Sequence, residues 1–196
     1  MSKEHIRTHF DNYIGKILQR IPAKDRKTFK FIIEDSYETG GQNWTDDMIE
    51  DFKNTYCVGG IDLSQTRDLT ACTAVIERNG ELYVFAHFFL PTERIDEATQ
   101  RDGLPYMAYV QRGLLTLSGD NFVDYPDCFK WFTNLVENYQ IFPLQIGYDR
   151  YSAQYLIQDL QAYGFHCDDI FQGENLYGVM QETQGLLEDR KIHIGD

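Results

Sequence analysis

The stretch from Cys57 to Leu90 constrains the fold most strongly. It holds three β-rich runs, CVGGIDLS (57–64), LTACTAVIER (69–78) and ELYVFAHFFL (81–90), with only short connections between them. Asn79-Gly80 joins the second run to the third and is a strong hairpin signal, because a two-residue turn of that kind needs positive φ at both positions. Pro91 stops the third run, since proline cannot donate to a strand ladder. Three strands joined this closely pair as an antiparallel meander, because parallel pairing needs a long crossover.

Downstream the period changes. After a looser stretch, Thr92 to about Asp124, apolar residues return at helical spacing at Phe129, Phe132, Leu135 and Val136. PLQIGYD (143–149) reads as a buried strand ending in an acid. A helix is expected from Ser152 to about Tyr163, with Tyr155, Leu156 and Leu160 on one face and Gly164 as its stop. CDDIFQG (167–173) reads as a strand, residues 178–190 as a helix, and KIHIG as a final strand or turn. A meander followed by alternating helices and strands predicts an α/β fold: a mixed sheet with helices on both faces.

Residues 1–56 differ in texture and form a lead segment. Ile6, Phe10, Ile14, Ile17 and Ile21 recur every three or four residues, one apolar stripe of a helix over 5–21 that Pro22 ends. Such a stripe is expected to pack against another surface. Lys24, Arg26, Lys27 and Lys30 follow, beside Phe29, Phe31, Ile32 and Ile33. This basic stretch reads as a solvated helix face rather than a phosphate contact. Gly40-Gly41 breaks the chain, and Thr45 with Asp46 and Asp47 opens a short helix through Met48, Ile49 and Phe52.

Charge argues against a generic nucleic-acid binder, which would be basic. The 196 residues carry 18 Lys and Arg against 31 Asp and Glu, a formal net charge of −13. The excess lies in residues 57–196, with 9 cations and 21 acids, whereas residues 1–56 hold 9 and 10. A soluble acidic surface explains this, and so does convergence of some carboxylates on divalent cations. No apolar run approaches the roughly 18 residues of a membrane span. The N-terminus MSKEHIRTHF lacks the apolar stretch of a signal peptide. Cys57, Cys72, Cys128 and Cys167 form no CxxC pair, so reduced thiols in a cytoplasmic protein are expected rather than a zinc site.

Two carboxylates stand out. Asp62 lies inside the apolar run with Val58, Ile61 and Leu63, where a buried charge is costly unless it is paired or metal-bound. Asp149 ends the strand 143–149, where it could instead cap the following helix. In an open sheet the two strands can be neighbours. No GxxxxGK[ST], GxSxG or HExxH occurs, and His5, His9, His87, His166 and His193 are scattered. Tyr106 and Tyr109 beside Arg112 read as packing residues rather than a base-stacking platform.

GGIDLSQTRDLTA (59–71) resembles the start of the nuclease domain of tailed-phage terminase large subunits, the DNA-packaging motors. Further landmarks run in that family's order: HFFLP (87–91), DGLPYMAYVQRGLLTLSGDNFVDY (102–125), IGYDRYSAQYLIQDLQAYG (146–164) and FQGENLYGVMQETQGLLEDRKIHIGD (171–196). The resemblance covers 57–196. It implies an RNase H-like fold and a metal-dependent endonuclease that cuts concatemeric viral DNA. Its catalytic, metal-binding carboxylates fall on Asp62 and Asp149, with two Mg²⁺ or Mn²⁺ ions as cofactors. Asp68 also matches, and turn or strand-entry geometry is its first reading.

The resemblance also implies partners: double-stranded viral DNA, an ATPase domain, the small terminase subunit and the portal, in the cytoplasm of a bacterial host and away from membranes. The phosphate loop of the motor's ATPase domain does not occur in this sequence. The family's third metal-binding acid falls beyond the segment that KIHIGD matches, so weak metal binding and poor cleavage are expected of these 196 residues alone. Two other readings stay open: a non-catalytic terminase module acting in motor assembly or binding, and a phosphotransferase of the actin-like class, whose first phosphate loop GGIDLS also resembles.

Overall fold

The computed structural model describes residues 3–26, 48–64, 68–149, 154–170, 173 and 176–194. The chain divides into two units, Met1–Asp51 and Phe52–Gly195. Lys27, Lys30, residues 29–33, Gly40-Gly41, Thr45–Asp47 and Ser152 lie outside the described residues.

In the first unit, α1 (Lys3–Phe10), a π-helical turn (Asp11–Gly15) and α2 (Lys16–Arg20) follow one another without a break. Ile21 is extended, as expected of a residue before proline. Within the apolar stripe, Phe10 is 42% and Ile17 36% exposed, while Ile14 and Ile21 are half-buried. Arg26, from the basic stretch, donates from Nε to the Ile21 carbonyl at 2.7 Å and from Nη2 to the Leu18 carbonyl. It thereby satisfies carbonyls that a helix end leaves without partners.

The second unit is built on a mixed sheet. β1 (Thr55–Asp62), β2 (Thr70–Arg78) and β3 (Glu81–Leu90) form the antiparallel meander. The β2–β3 turn has φ of 57° at Asn79 and 79° at Gly80, as a two-residue hairpin requires. β1 starts two residues earlier than expected. The stretch 92–124 is more ordered than its sequence suggests: it contains α3 (Ile95–Asp102), α4 (Tyr106–Gln111) and β4 (Leu115–Leu117). α5 (Tyr125–Glu137), β5 (Ile141–Asp149), α6 (Gln154–Tyr163), β6 (Cys167–Ile170), α7 (Leu176–Glu188) and β7 (Ile192–Ile194) complete the order.

The strands lie in the order β4-β3-β2-β1-β5-β6, and β7 also pairs with β3. β1, β5 and β6 run parallel to one another. β1 alternates: Cys57, Gly59 and Ile61 are covered, while Tyr56, Val58 and Asp62 are exposed. The covered face holds the main core, where Phe132 of α5, fully buried, packs so close that a Cβ on Gly59 would sit 2.9 Å from its ring. Burying such a ring contributes about 1.5–3 kcal/mol. The other face is covered over β3 and β4 by α3 and α4, whose Ala98 and Tyr106 form a second cluster with Leu90 and Leu115. Helices therefore occupy both faces, as expected.

Candidate active site

Asp62 and Asp149 stand at the ends of neighbouring strands. β1 and β5 are hydrogen-bonded parallel neighbours, paired through Gly60↔Gly147 and Ile61↔Tyr148. The next residue on each strand is Asp62 and Asp149, the last residue of its element. Adjacent strands lie about 4.8 Å apart, and in-register residues share a face. Asp62 is exposed and Asp149 half-buried. The local sequence explains the placement. Ile61 and Ile146 anchor the covered face at 6% and 0% exposure, so alternation turns Asp62 and Asp149 to the opposite one.

Directly below the acids both strands carry glycine. Gly60 and Gly147 are register partners on the same face. A Cβ on Gly60 would meet Thr73 Oγ1 at 2.7 Å, and one on Gly147 would meet Ile170 Cδ1 at 2.3 Å. Larger side chains from β2 and β6 already fill those places.

Hydrogen bonds join the described residues between β1 and β2. The Ser64 N–H donates to Thr70 Oγ1 at 3.2 Å, and the Asp68 N–H donates to Ser64 Oγ at 3.0 Å. Asp68 thus engages the loop through its backbone. α3 flanks this loop. Arg101 donates from Nε and Nη2 to the two oxygens of Asp102 at 2.7 and 2.8 Å, and the Tyr106 hydroxyl donates to Asp102 Oδ2 at 2.8 Å. The Arg101 guanidinium, followed by the Tyr106 hydroxyl, holds the Asp102 carboxyl down at about 2. Arg101 is raised in turn, first by that hydrogen bond, with Asp68 adding to the field it feels.

A further acid, not singled out by the sequence, stands on the same face. Asp168 of β6 is the register partner of Gly147, one row below Asp149, and accepts a hydrogen bond from Gln145 Nε2. Diagonal positions of that kind lie about 7–8 Å apart. Its signal was CDDI, but only the β5–β6 pairing brings it beside Asp149. Among the described residues, no group of three or more His, Cys, Asp or Glu is placed to hold one ion.

The chain has detectable similarity to known proteins. The terminase large subunit of Enterobacteria phage HK97 is 28% identical over 106 residues, 54% of this chain and 21% of that protein. The crystal structure of the HK97 large terminase superposes with a TM-score of 0.62 at 22% identity, over 77% of this chain and 33% of that one. In sequence and in fold, this chain is similar to a phage terminase large subunit. The terminase-like part is an α/β fold of RNase H type. The chain spans a fifth to a third of the length of these terminase relatives. A family model described as alpha-L-rhamnosidase also matches residues 1–61. That match ends inside β1, one residue short of Asp62, and so divides a strand that is paired on both sides. Among the described residues, no helix is long and apolar enough to cross a membrane.

Proposed function

We propose that residues 57–196 form the metal-dependent endonuclease domain of a phage or prophage DNA-packaging terminase, and that residues 1–56 lead into it. The observation that carries this reading is the register of β1 and β5, which makes Asp62 and Asp149 neighbours at the ends of parallel strands. The HK97 relatives support the DNA-packaging context. Double-stranded viral DNA is the substrate under this reading. The ATPase domain, small subunit and portal are its partners in the host cytoplasm.

The donor set suits Mg²⁺ or Mn²⁺. Both are hard cations that take oxygen ligands, and Mg²⁺ is commonly held by one or two carboxylates plus substrate phosphate and water. Asp62 and Asp149 would hold them, and a pair of such cations would supply the charge that offsets the scissile phosphate during hydrolysis. The chain's own contribution is positional. Two adjacent β-strands fix the two positions, and the glycines one row below, Gly60 and Gly147, leave room there for the neighbouring Thr73 and Ile170 side chains.

The test has two arms. Mn²⁺ added to ¹⁵N-labelled protein should broaden the amides of 60–62 and 147–149 first, and Asp62→Ala with Asp149→Ala should remove that preference. Mn²⁺-dependent nicking of supercoiled plasmid, slow in the wild type, should vanish in Asp62→Ala. Broadening that ignores both substitutions would overturn the site, and nicking that survives Asp62→Ala would overturn the activity.

A further inference from the structure

A groove of about 450 Å³ lies on the sheet face opposite the acid pair, between α5 and the β3–β4 edge. That volume falls in the range of ligand pockets. On α5 and its C-cap, Asp127, Lys130, Trp131, Asn134, Glu137 and Asn138 line it. Their three- and four-residue spacing makes one helical stripe about 16 Å long. His87 and Phe89 of β3 and Thr116 of β4 form the facing wall.

The chemistry of the lining is specific. The rings are held in place: His87 meets Phe89 edge-on with centroids 5.0 Å apart, and Trp131 stands edge-on to the buried Phe132 at 4.9 Å. His87 Nε2 shares a hydrogen bond with Thr116 Oγ1 at 2.8 Å, and burial lowers its pKa, so the wall adds an uncharged ring. Asp127 and Lys130 offset one another: Asp127 Oδ1 accepts from Lys130 at 2.9 Å and Oδ2 from Ser118 at 2.7 Å. Glu137 is met by the neutral hydroxyl of Tyr163 at 3.0 Å. The Asn138 amide donates to Asn134 Oδ1 and continues the polar rim.

A groove with aromatic walls and a net negative charge selects a planar cation. Guanidinium stacks on rings and hydrogen-bonds to a carboxylate in one plane, whereas the ammonium of lysine is a hydrated point charge. A nucleotide could stack too, but its phosphate would be repelled by the acids. The length fits about five residues of extended chain. The acidic excess of residues 57–196, 21 acids to 9 cations, draws a basic partner toward it.

We propose that this groove binds an arginine side chain of an extended basic segment on a partner protein, with the guanidinium over Trp131 and hydrogen-bonded to Glu137. It is a protein-docking site on the face away from Asp62 and Asp149, and it does not rest on the nuclease reading. The test titrates full-length ¹⁵N-labelled protein with the peptide Ac-Gly-Arg-Gly-NH₂ and follows the Trp131 indole N–H. A parallel titration uses the citrulline analogue, which keeps shape and loses charge. A saturable millimolar shift with arginine, roughly tenfold weaker in Glu137→Gln and with citrulline, is expected. Glu137 is exposed, so that variant keeps its fold. Equal responses to arginine and citrulline, no saturable response, or stronger binding of a ten-nucleotide single-stranded DNA would each overturn the proposal. None of these outcomes bears on Mn²⁺ binding at Asp62.

Discussion

Among the described glycines of positive φ, Gly119 is where an added methyl should damage the fold most. Gly119 has φ of +65°, and a Cβ built there would lie 2.1 Å from the carbonyl oxygen of Phe122. That atom is backbone, so no rotamer change relieves the overlap. The left-handed conformation alone costs an alanine about 1 kcal/mol. The loop must then move, and it holds several bonds: Thr92 N–H to the Gly119 carbonyl at 3.2 Å, and Asp124 N–H to Ser118 Oγ at 3.1 Å. Losing two such bonds, at about 1 kcal/mol each, brings the expected loss to about 3 kcal/mol. Gly103 supplies the control. Its φ is +69°, but nothing lies within 4 Å of the place its methyl would take, so Gly103→Ala should cost only about 1 kcal/mol. Urea unfolding followed by circular dichroism measures both. Equal losses for the two variants would refute the argument, because they would show that the loop yields to the methyl without cost.

Two further outcomes follow from buried groups. Burial lowers the pKa of His87, so below about pH 6.5 the unfolded chain takes up a proton that the folded chain resists. The stability from neutral His87 is therefore complete above that pH and falls as the pH drops toward the lowered value, by at most about 1.4 kcal/mol per unit. Urea midpoints between pH 7 and 5 should show this slope, and His87→Gln should flatten it. All four cysteines are buried, and burial pushes the Cys57 thiol up to about 12 and Cys167 to about 11. Ellman's reagent should find four thiols in urea and react in native buffer only as fast as the chain opens, whereas a rapid native phase would contradict the burial.

Legibility from the sequence followed the range of the interactions. The meander was readable because its alternation and the Asn79-Gly80 turn are local, and α5 because Phe132 and Leu135 repeat on one face. α3 was not readable: IDEATQRD buries only Ala98, so it has almost no apolar stripe, and its stop at Gly103 gives an end without a beginning. β4 has three residues, too few to show a period, and the equally short β7 could be read only as a strand or turn. Asp62 and Asp149 could be named one at a time, yet their adjacency depends on β1 pairing with a strand that starts 86 residues later, which no local pattern encodes. Arg26 read as a solvated cation, but its role is to close the carbonyl end of α2.

The edge of β3 has a consequence for synthesis on the ribosome. β4 pairs with β3 at Phe88–Leu90 and β7 pairs with it at Leu82–Val84, so two short strands share one ten-residue border. The part facing Leu82–Val84 is translated late: His193 follows Glu81, its hydrogen-bond partner, by 112 residues. Until β7 emerges, that stretch presents unpaired backbone groups beside Tyr83 and Val84, a template that a strand of any neighbouring nascent chain can extend. His193 then closes it, stacking on Tyr83 at 4.7 Å and hydrogen-bonding Glu81 at 2.9 Å. The codons for residues 192–194 thus decide whether the first-made half of the sheet stays sticky, and a chain released before Ile192 should partition into aggregates although Asp62 and Asp149 have already been made.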